Sequence, residues 1–430
     1  MNKLFQLFYA CAGVSTDTRS IEKDVLYIAL KGENFNGNHY AIEAIEKGAK
    51  YAIVDEKEFA NDTTIFYTEN ALLFLQKLAN YHRNKFNIPV IGITGSNGKT
   101  TTKELIASVL QQEFAILYTQ GNLNNHIGVP LTLLSLSNEH DIAIIEMGAN
   151  KRGDIKELSE IAQPTHGIIT NIGIAHIEGF GGPEGVLKTK TELYANIKAS
   201  GGTLFCNLND KTLTSHIPDD IEVIYYAIEN EVARLSGKLL ESVHNIQFQW
   251  STKDYTSPLV KSTLIGKYNF NNILAALSIG HYFEVPNEKI NAGIEAYIPS
   301  NNRSQIKKTP HNTLLLDAYN ANPSSMKSAL ENFDLIDHPN KMVILGDMLE
   351  LGAISTESHK EIIELTISYQ LEALFVGKLF YALKEDYDKG VFFETVNDAE
   401  LFLSLAQPKN NFVLLKGSRG IGLEKLADIF

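Results

Sequence analysis

Apolar and polar positions follow two rhythms along the chain. Short, nearly unbroken apolar runs recur at residues 25–30, 50–54, 88–93, Ile142–Glu146, 167–170, 203–206, 313–316, 342–345, 373–376 and 412–415. Runs this short, with no polar residue on every second position, predict parallel strands covered on both faces. Between them, apolar residues return at three- and four-residue spacing. Residues 40–47, Ala71–Arg83 (through Leu72, Leu75, Leu78 and Ala79), the stretch through Leu105, Ile106, Val109 and Leu110, and residues 269–282 are predicted helices. Strands that alternate with helices build right-handed crossover units and a doubly wound sheet. Residues 220–265 carry strand-like runs with no helix between them and are expected to form an added antiparallel piece.

Two breaks divide this pattern. Asn87-Ile-Pro89 follows the helix over 71–83, and the polar stretch Pro299-Ser-Asn-Asn-Arg-Ser304 follows the helix over 269–282. The expected organisation is α/β in three domains. Residues 1–85 form a small N-terminal α/β domain. Residues 86–300 form a central domain with a doubly wound, mostly parallel sheet and a phosphate-binding loop. Residues 301–430 form a Rossmann-like C-terminal α/β domain. The last turn, Gly417-Ser-Arg-Gly-Ile-Gly422, has the wrong glycine spacing for a dinucleotide, so no NAD site is expected.

Composition narrows the function. At 430 residues the chain exceeds one ordinary core. A net charge of −13 with no Lys/Arg run argues against nucleic acid as a partner. Two cysteines, Cys11 and Cys206, give neither a disulfide framework nor metal-type spacing, which suits a reducing cytoplasm. The apolar N-terminal stretch is broken by Gln6 and predicts a short packed helix rather than a secretory signal. No run is long enough to span a membrane.

The chemistry concentrates after the apolar run at 88–93. There Thr94-Gly-Ser-Asn-Gly-Lys-Thr100 joins a predicted strand to a predicted helix. Such a turn aims backbone N–H groups and a helix N-terminus at one point, a cradle for phosphate. Lys99 adds a charge for the outer phosphates, and the Thr100 hydroxyl suits Mg²⁺. The general pattern asks for glycine five residues before Gly98, where Ile93 stands, so a plain Gly-rich turn is the competing reading. Working groups gather at the carboxyl ends of parallel strands. Glu146 closes one strand and can bind a metal or cap a turn. His176 follows another beside Glu178, as a ligand or as a structural hydrogen-bonder. Lys188 and Lys190 open a helix and on pattern alone are solvated. Asn269, Asn272, Arg303 and the run Asp317-Ala-Tyr-Asn-Ala-Asn-Pro323 flank strands and boundaries as turn or cap residues.

Taken together, Thr94–Thr100, Gly121-Asn-Leu-Asn-Asn-His-Ile-Gly-Val-Pro130, Glu146-Met-Gly-Ala149, Ala175-His-Ile-Glu-Gly-Phe-Gly181, Tyr319-Asn-Ala-Asn-Pro323 and Leu345-Gly-Asp-Met-Leu-Glu-Leu-Gly352 resemble the Mur ligase family. The likeness runs from Ser15-Thr-Asp-Thr-Arg19 to Lys416-Gly-Ser-Arg419, almost the whole chain. It implies an ATP-dependent ligase that joins D-alanyl-D-alanine to UDP-N-acetylmuramoyl-tripeptide through an acyl phosphate, a cytoplasmic step; a monomer is expected, although the sequence leaves the oligomeric state open. By resemblance, Gly95, Ser96, Asn97, Gly98, Lys99, Thr100, Thr101, Asn269, Asn272, Arg303, Asp317 and Asn320 hold ATP. Lys99, Glu146, His176 and Lys190 are catalytic, and Thr100, Glu146, His176 and Lys190 belong to the Mg²⁺ sites. Lys190 is expected to carry a CO₂-derived carbamate. Thr18, Arg19, Asn122, Asn124 and Asn125 are expected to contact the UDP-linked substrate. A folylpolyglutamate synthase shares such an ATP core but lacks a separate UDP-binding module. A non-catalytic sensor of UDP-peptides has no use for Lys99, Glu146, His176 and Lys190 together.

Overall fold

The computed structural model describes residues 3–173 and 177–430, with the side chain of Ile177 excepted. Three large sheets follow one another along the chain, and a two-stranded ladder pairs Lys31–Gly32 with Phe35–Asn36. The first is small and wholly parallel, in the spatial order Val14–Ser15, Leu26–Ile28, Tyr51–Val54, Ile65–Tyr67. Helix Ala71–Arg83 covers one face of it. Asn70 caps this helix by accepting the Leu73 N–H, and the helix buries Phe74, Leu75, Leu78 and Ala79. The N-terminal helix Phe5–Tyr9 docks beside it, with the Phe5 ring 5.4 Å from Phe74. These residues share one continuous apolar cluster with Leu133, Leu136, Leu158 and Ile161 of the central part.

The central sheet has ten strands. Seven run parallel, in the order Ile116–Tyr118, Ile142–Glu146, Val90–Thr94, His166–Ile169, Thr203–Asn207, Glu222–Ile228, Leu235–Glu241. The strand Val90–Thr94 is buried at every position, as a two-sided strand must be. Ile91 and Ile93 face helices Lys99–Leu110 and Tyr268–Tyr282. Val90 faces the opposite layer, and a Cβ on Gly92 would sit 3.1–3.2 Å from Pro164, Leu193 and Met147 on that side. The expectation for residues 220–265 needs correction. Glu222–Ile228 and Leu235–Glu241 continue the parallel sheet, and antiparallel pairing begins only at Gln247–Thr252, which Tyr255–Thr256 and Val260–Lys261 join. A run of strand signals without an intervening helix suggests hairpins. Here the short link 229–234 instead lets Leu235 start beside Tyr226 in the same direction.

The last sheet has the order Gln305–Lys308, Thr313–Asp317, Phe412–Lys416, Lys341–Gly346, Glu372–Val376, Val391–Phe393. All pairs are parallel except the first. Helices Pro323–Asp334 and Ser355–Ser368 cover one face, and Val396–Ala406 covers the other. Among the described residues, no helix is long and apolar enough to cross a membrane.

Candidate active site

The carboxyl ends of the central strands and those of the C-terminal sheet face one another across a cavity of about 710 Å³. Its floor is the turn after Val90–Thr94. Gly95 sits at φ +144°, and a Cβ there would lie 2.0 Å from the Thr170 hydroxyl. Only glycine permits both the dihedral and the approach. The neighbouring strand end stitches the turn down. Thr170 Oγ1 donates to Asn97 O at 2.6 Å, Asn171 Oδ1 accepts from Asn97 N at 3.0 Å, and Asn171 O accepts from Ser96 N at 3.0 Å. Gly98 (φ +77°) opens helix Lys99–Leu110, and a Cβ on it would meet Asn272 Oδ1 at 2.7 Å.

Lys99 folds back over this turn and donates to Gly95 O at 2.7 Å and Ser96 O at 3.2 Å. Burial lowers its pKa, with the Glu146 charge opposing the shift. Thr100 Oγ1 donates to Glu146 Oε1 at 3.1 Å, and Asn124 Nδ2 donates to the same oxygen at 2.8 Å. Glu146 is 1% exposed, and its Oε2 has no hydrogen-bond partner. The nearest cation is the buried Lys103, 3.8 Å away. A buried carboxylate oxygen with a spare lone pair, beside a threonine hydroxyl, fits a hard oxygen-seeking cation such as Mg²⁺. Among the described residues, no three His, Cys, Asp or Glu side chains converge as a preformed metal centre. His176 lies outside the described residues.

Lys190 is not the solvated residue its helix pattern predicts. In helix Pro183–Ala199 it is 2% exposed, whereas Lys188 is exposed. Its ammonium stands 5.5 Å from the Phe180 ring centroid. Burial, reinforced by the Lys99 charge and only partly offset by Asp154 and Glu192, pushes its pKa well down. An amine in that setting favours its neutral, nucleophilic form.

The far wall comes from the C-terminal sheet. The Arg303 guanidinium lies 3.6 Å over the Tyr319 ring, and its buried Nε lacks a hydrogen bond. Asp317 pairs with Lys416 at 2.5 Å and accepts from Ser304 N. Asn320 Oδ1 accepts from Ala321 N. Asn322 caps helix Pro323–Asp334 through a capping box, and its Nδ2 also donates to Asn97 Oδ1 at 2.7 Å. Asn97 Nδ2 in turn donates to Ser324 Oγ at 3.1 Å.

Ser96, Asn97, Gly98, Lys99, Thr100, Thr101, Asn122, Asn124, Glu146, Asn269, Asn272, Arg303, Asp317 and Asn320 all line this one cavity. Asn269 and Asn272 do so with their amides engaged. Thr102 Oγ1 donates to Asn272 Oδ1, Asn272 Nδ2 to Asn269 Oδ1, and Asn269 Nδ2 to Ile265 O. Gly95 and Lys190 are not among the residues that line it. Asn125 instead shapes the turn ahead of helix Gly128–Leu133, its Oδ1 accepting from Ile127 N and Gly128 N. Thr18 and Arg19 sit in the first sheet's turn, where Arg19 chelates Asp17 and holds that carboxyl down at about 2. Sequence reasoning missed Lys103, Thr170, Asn171 and Ser324. The only signal for Thr170 and Asn171 was their place at a strand end.

Three sequence patterns match the chain: the Mur ligase family catalytic domain over residues 11–83, the Mur ligase middle domain over 93–280, and the Mur ligase glutamate ligase domain over 302–419. The UDP-N-acetylmuramoyl-tripeptide–D-alanyl-D-alanine ligase of Bacillus subtilis is 31% identical, covering 96% of this chain and 92% of that protein. A crystal structure of MurF from Acinetobacter baumannii superposes with a TM-score of 0.88 at 30% identity, covering 99% of this chain and 97% of that one. The MurF ligase of Thermotoga maritima in complex with ADP gives 0.86 at 25% identity, covering 100% and 98%.

Proposed function

The chain belongs to the Mur ligase family of ATP-dependent, amide-forming enzymes, and from that membership we propose that it joins D-alanyl-D-alanine to UDP-N-acetylmuramoyl-tripeptide. The observation that carries the reading is the meeting of Lys99, Thr100 and Glu146 with Arg303 across one cavity. In this scheme residues 1–85 hold the UDP-sugar, with Thr18 and Arg19 in contact. Residues 86–300 bind ATP, and residues 301–430 close over it. The work is done in the cytoplasm, by a monomer.

A carboxylate is a poor electrophile. Transfer of the γ-phosphoryl group to a carboxylate oxygen of the tripeptide forms one O–P bond, breaks the β–γ bridge and releases ADP. The neutral amine of the dipeptide attacks the acyl carbon, and the tetrahedral adduct loses the nitrogen's proton to solvent and expels phosphate to leave an amide. Two anions must meet in the first step. Lys99 leaves the carbonyls of Gly95 and Ser96 for the phosphates and offsets that repulsion. The backbone N–H groups of the turn and the N-terminus of helix Lys99–Leu110 hold the chain of phosphates in line. Thr100 and Glu146, with His176, would hold Mg²⁺, which supplies charge neutralisation between the phosphates. The low-pKa amine of Lys190 suits capture of CO₂ as a carbamate, an anion on a long stem beside Lys99.

The test is ADP release with ATP, Mg²⁺ and UDP-tripeptides differing in the third residue, with and without D-alanyl-D-alanine. Release that depends on the dipeptide is expected. Its absence with every UDP-tripeptide overturns the assignment.

A further inference from the structure

The C-terminal wall carries a cation that the reaction outlined above leaves without work. Lys99 and Arg303 face the triphosphate in that scheme, and Lys416 is neutralised by Asp317 at 2.5 Å. Arg419 is different. It lies on the same cavity, exposed, and among the described residues it makes no ion pair. Among the described residues its side-chain partner is Tyr319, whose hydroxyl accepts from Nη1 at 3.5 Å and whose ring centroid lies 5.4 Å from the guanidinium carbon. Tyr319 thus contacts two guanidinium groups, with Arg303 3.6 Å over its ring.

The setting of Arg419 is built. Ser418 joins two strand-end loops: its Oγ accepts from Leu349 N at 3.0 Å, and its N–H donates to Asp347 O at 3.1 Å. Asp347 is itself pinned, accepting from Leu379 N and Phe380 N at 2.9 Å each. Leu349 is 39% exposed, and its Cδ1 would lie 3.0 Å from a Cβ on Gly420. A fixed shelf therefore offers an apolar surface, a glycine and an unpaired planar cation side by side. A guanidinium fork matches a carboxylate in two parallel hydrogen bonds.

We propose that Arg419 is a specificity residue that receives the free carboxylate of the incoming amine substrate, with the substrate's small side chains against Leu349. This rests on the reading of the chain as a dipeptide-adding ligase. One end of the dipeptide is the attacking amine. The other is an anion that must be bound without drawing on the cations that grip ATP. Arg419 meets that need and excludes an amine donor whose carboxyl is blocked.

The experiment compares D-alanyl-D-alanine with D-alanyl-D-alaninamide as acceptors, following ADP release by the wild type, Arg419→Lys and Arg419→Met. Loss of one charge-assisted pair is worth about 10- to 100-fold in binding. In the wild type, kcat/KM for the amide is expected to fall by that factor relative to the dipeptide. In Arg419→Met the KM for the dipeptide is expected to rise by the same factor while the KM for ATP stays put. The dipeptide/amide ratio then drops towards one, and Arg419→Lys recovers part of it. An Arg419→Met enzyme that keeps the wild-type ratio overturns the inference while leaving the ligase reading intact. A rise in the KM for ATP also overturns it, since the residue then serves the nucleotide. A wild type that releases no ADP in response to the dipeptide overturns both.

Discussion

Lys99 and Lys190 show how far one lysine ammonium can differ from another. Lys99 is held by two carbonyls that a triphosphate would replace, so its amine already lies over the turn before the nucleotide arrives. Lys99→Ala is expected to reduce ADP release at least 100- to 1,000-fold, the loss typical of a fixed charge aimed at developing negative charge. Near-normal rates would contradict the phosphate-loop role. Lys190 lies deeper, and burial and Lys99 both oppose its protonation. Lys190→Ala is expected to be almost inactive and partly restored by short carboxylates, assayed as ADP release against added formate or acetate. Full activity without any additive would rule out the carbamate. Neither position stands out equally in the sequence. Lys99 is legible because glycine, lysine and threonine fall in order within seven residues. Lys190 reads as a surface lysine, because what buries it comes from elsewhere in the chain, the Phe180 ring included. Lys103 was hidden in the same way, as one more lysine on an amphipathic helix.

Among the elements, the fully buried strands were the most legible, since every residue in Val90–Thr94, Ile142–Glu146 and Thr203–Asn207 obeys one rule. The edge strand Gln305–Lys308 was not, because its half-exposed Gln-Ile-Lys-Lys needs no apolar run. The three-residue strands Ile116–Tyr118 and Val391–Phe393 are too short to show a period. Strand His166–Ile169 carries a titration at its amino end. The His166 ring is packed among Phe205, Tyr282 and Phe283, and burial pushes its pKa from 6.5 to about 4, with Glu222 opposing. The unfolded chain takes up that proton near pH 6.5 and the folded chain refuses it, so stability is full above pH 6.5 and declines as the pH falls towards 4. At pH 4.5 the cost is about 2 kcal/mol. Urea midpoints for the wild type and His166→Asn should therefore converge as pH drops from 7 to 4.5. A constant gap would show that the ring's protonation does not matter.

At the scale of the molecule, the three sheets have unequal bonds to one another. The contact between the turn at residue 97 and the cap of helix Pro323–Asp334 joins residues 225 and 227 positions apart, a separation no local pattern can report. Asn322→Ala removes both a helix cap, worth about 1 kcal/mol, and the bond to Asn97. Small-angle scattering without nucleotide should show a larger radius of gyration for this variant than for the wild type. Identical profiles would mean that other contacts hold the C-terminal unit in place. The N-terminal sheet has a different attachment. Phe5, Phe74, Leu75 and Leu78 share a single apolar mass with Leu133, Leu136, Leu158 and Ile161, and Arg83 ties its side chain to the carbonyls of Phe86 and Ala162 across the same seam. The first two sheets are thus welded, and the third is latched, with a smaller apolar contact through Ile265 and Val243. On heating, the weld and the latch give way separately, so calorimetry of this three-sheet chain should trace two melting events, and a fragment lacking residues 1–85 should clump through its uncovered oily flank.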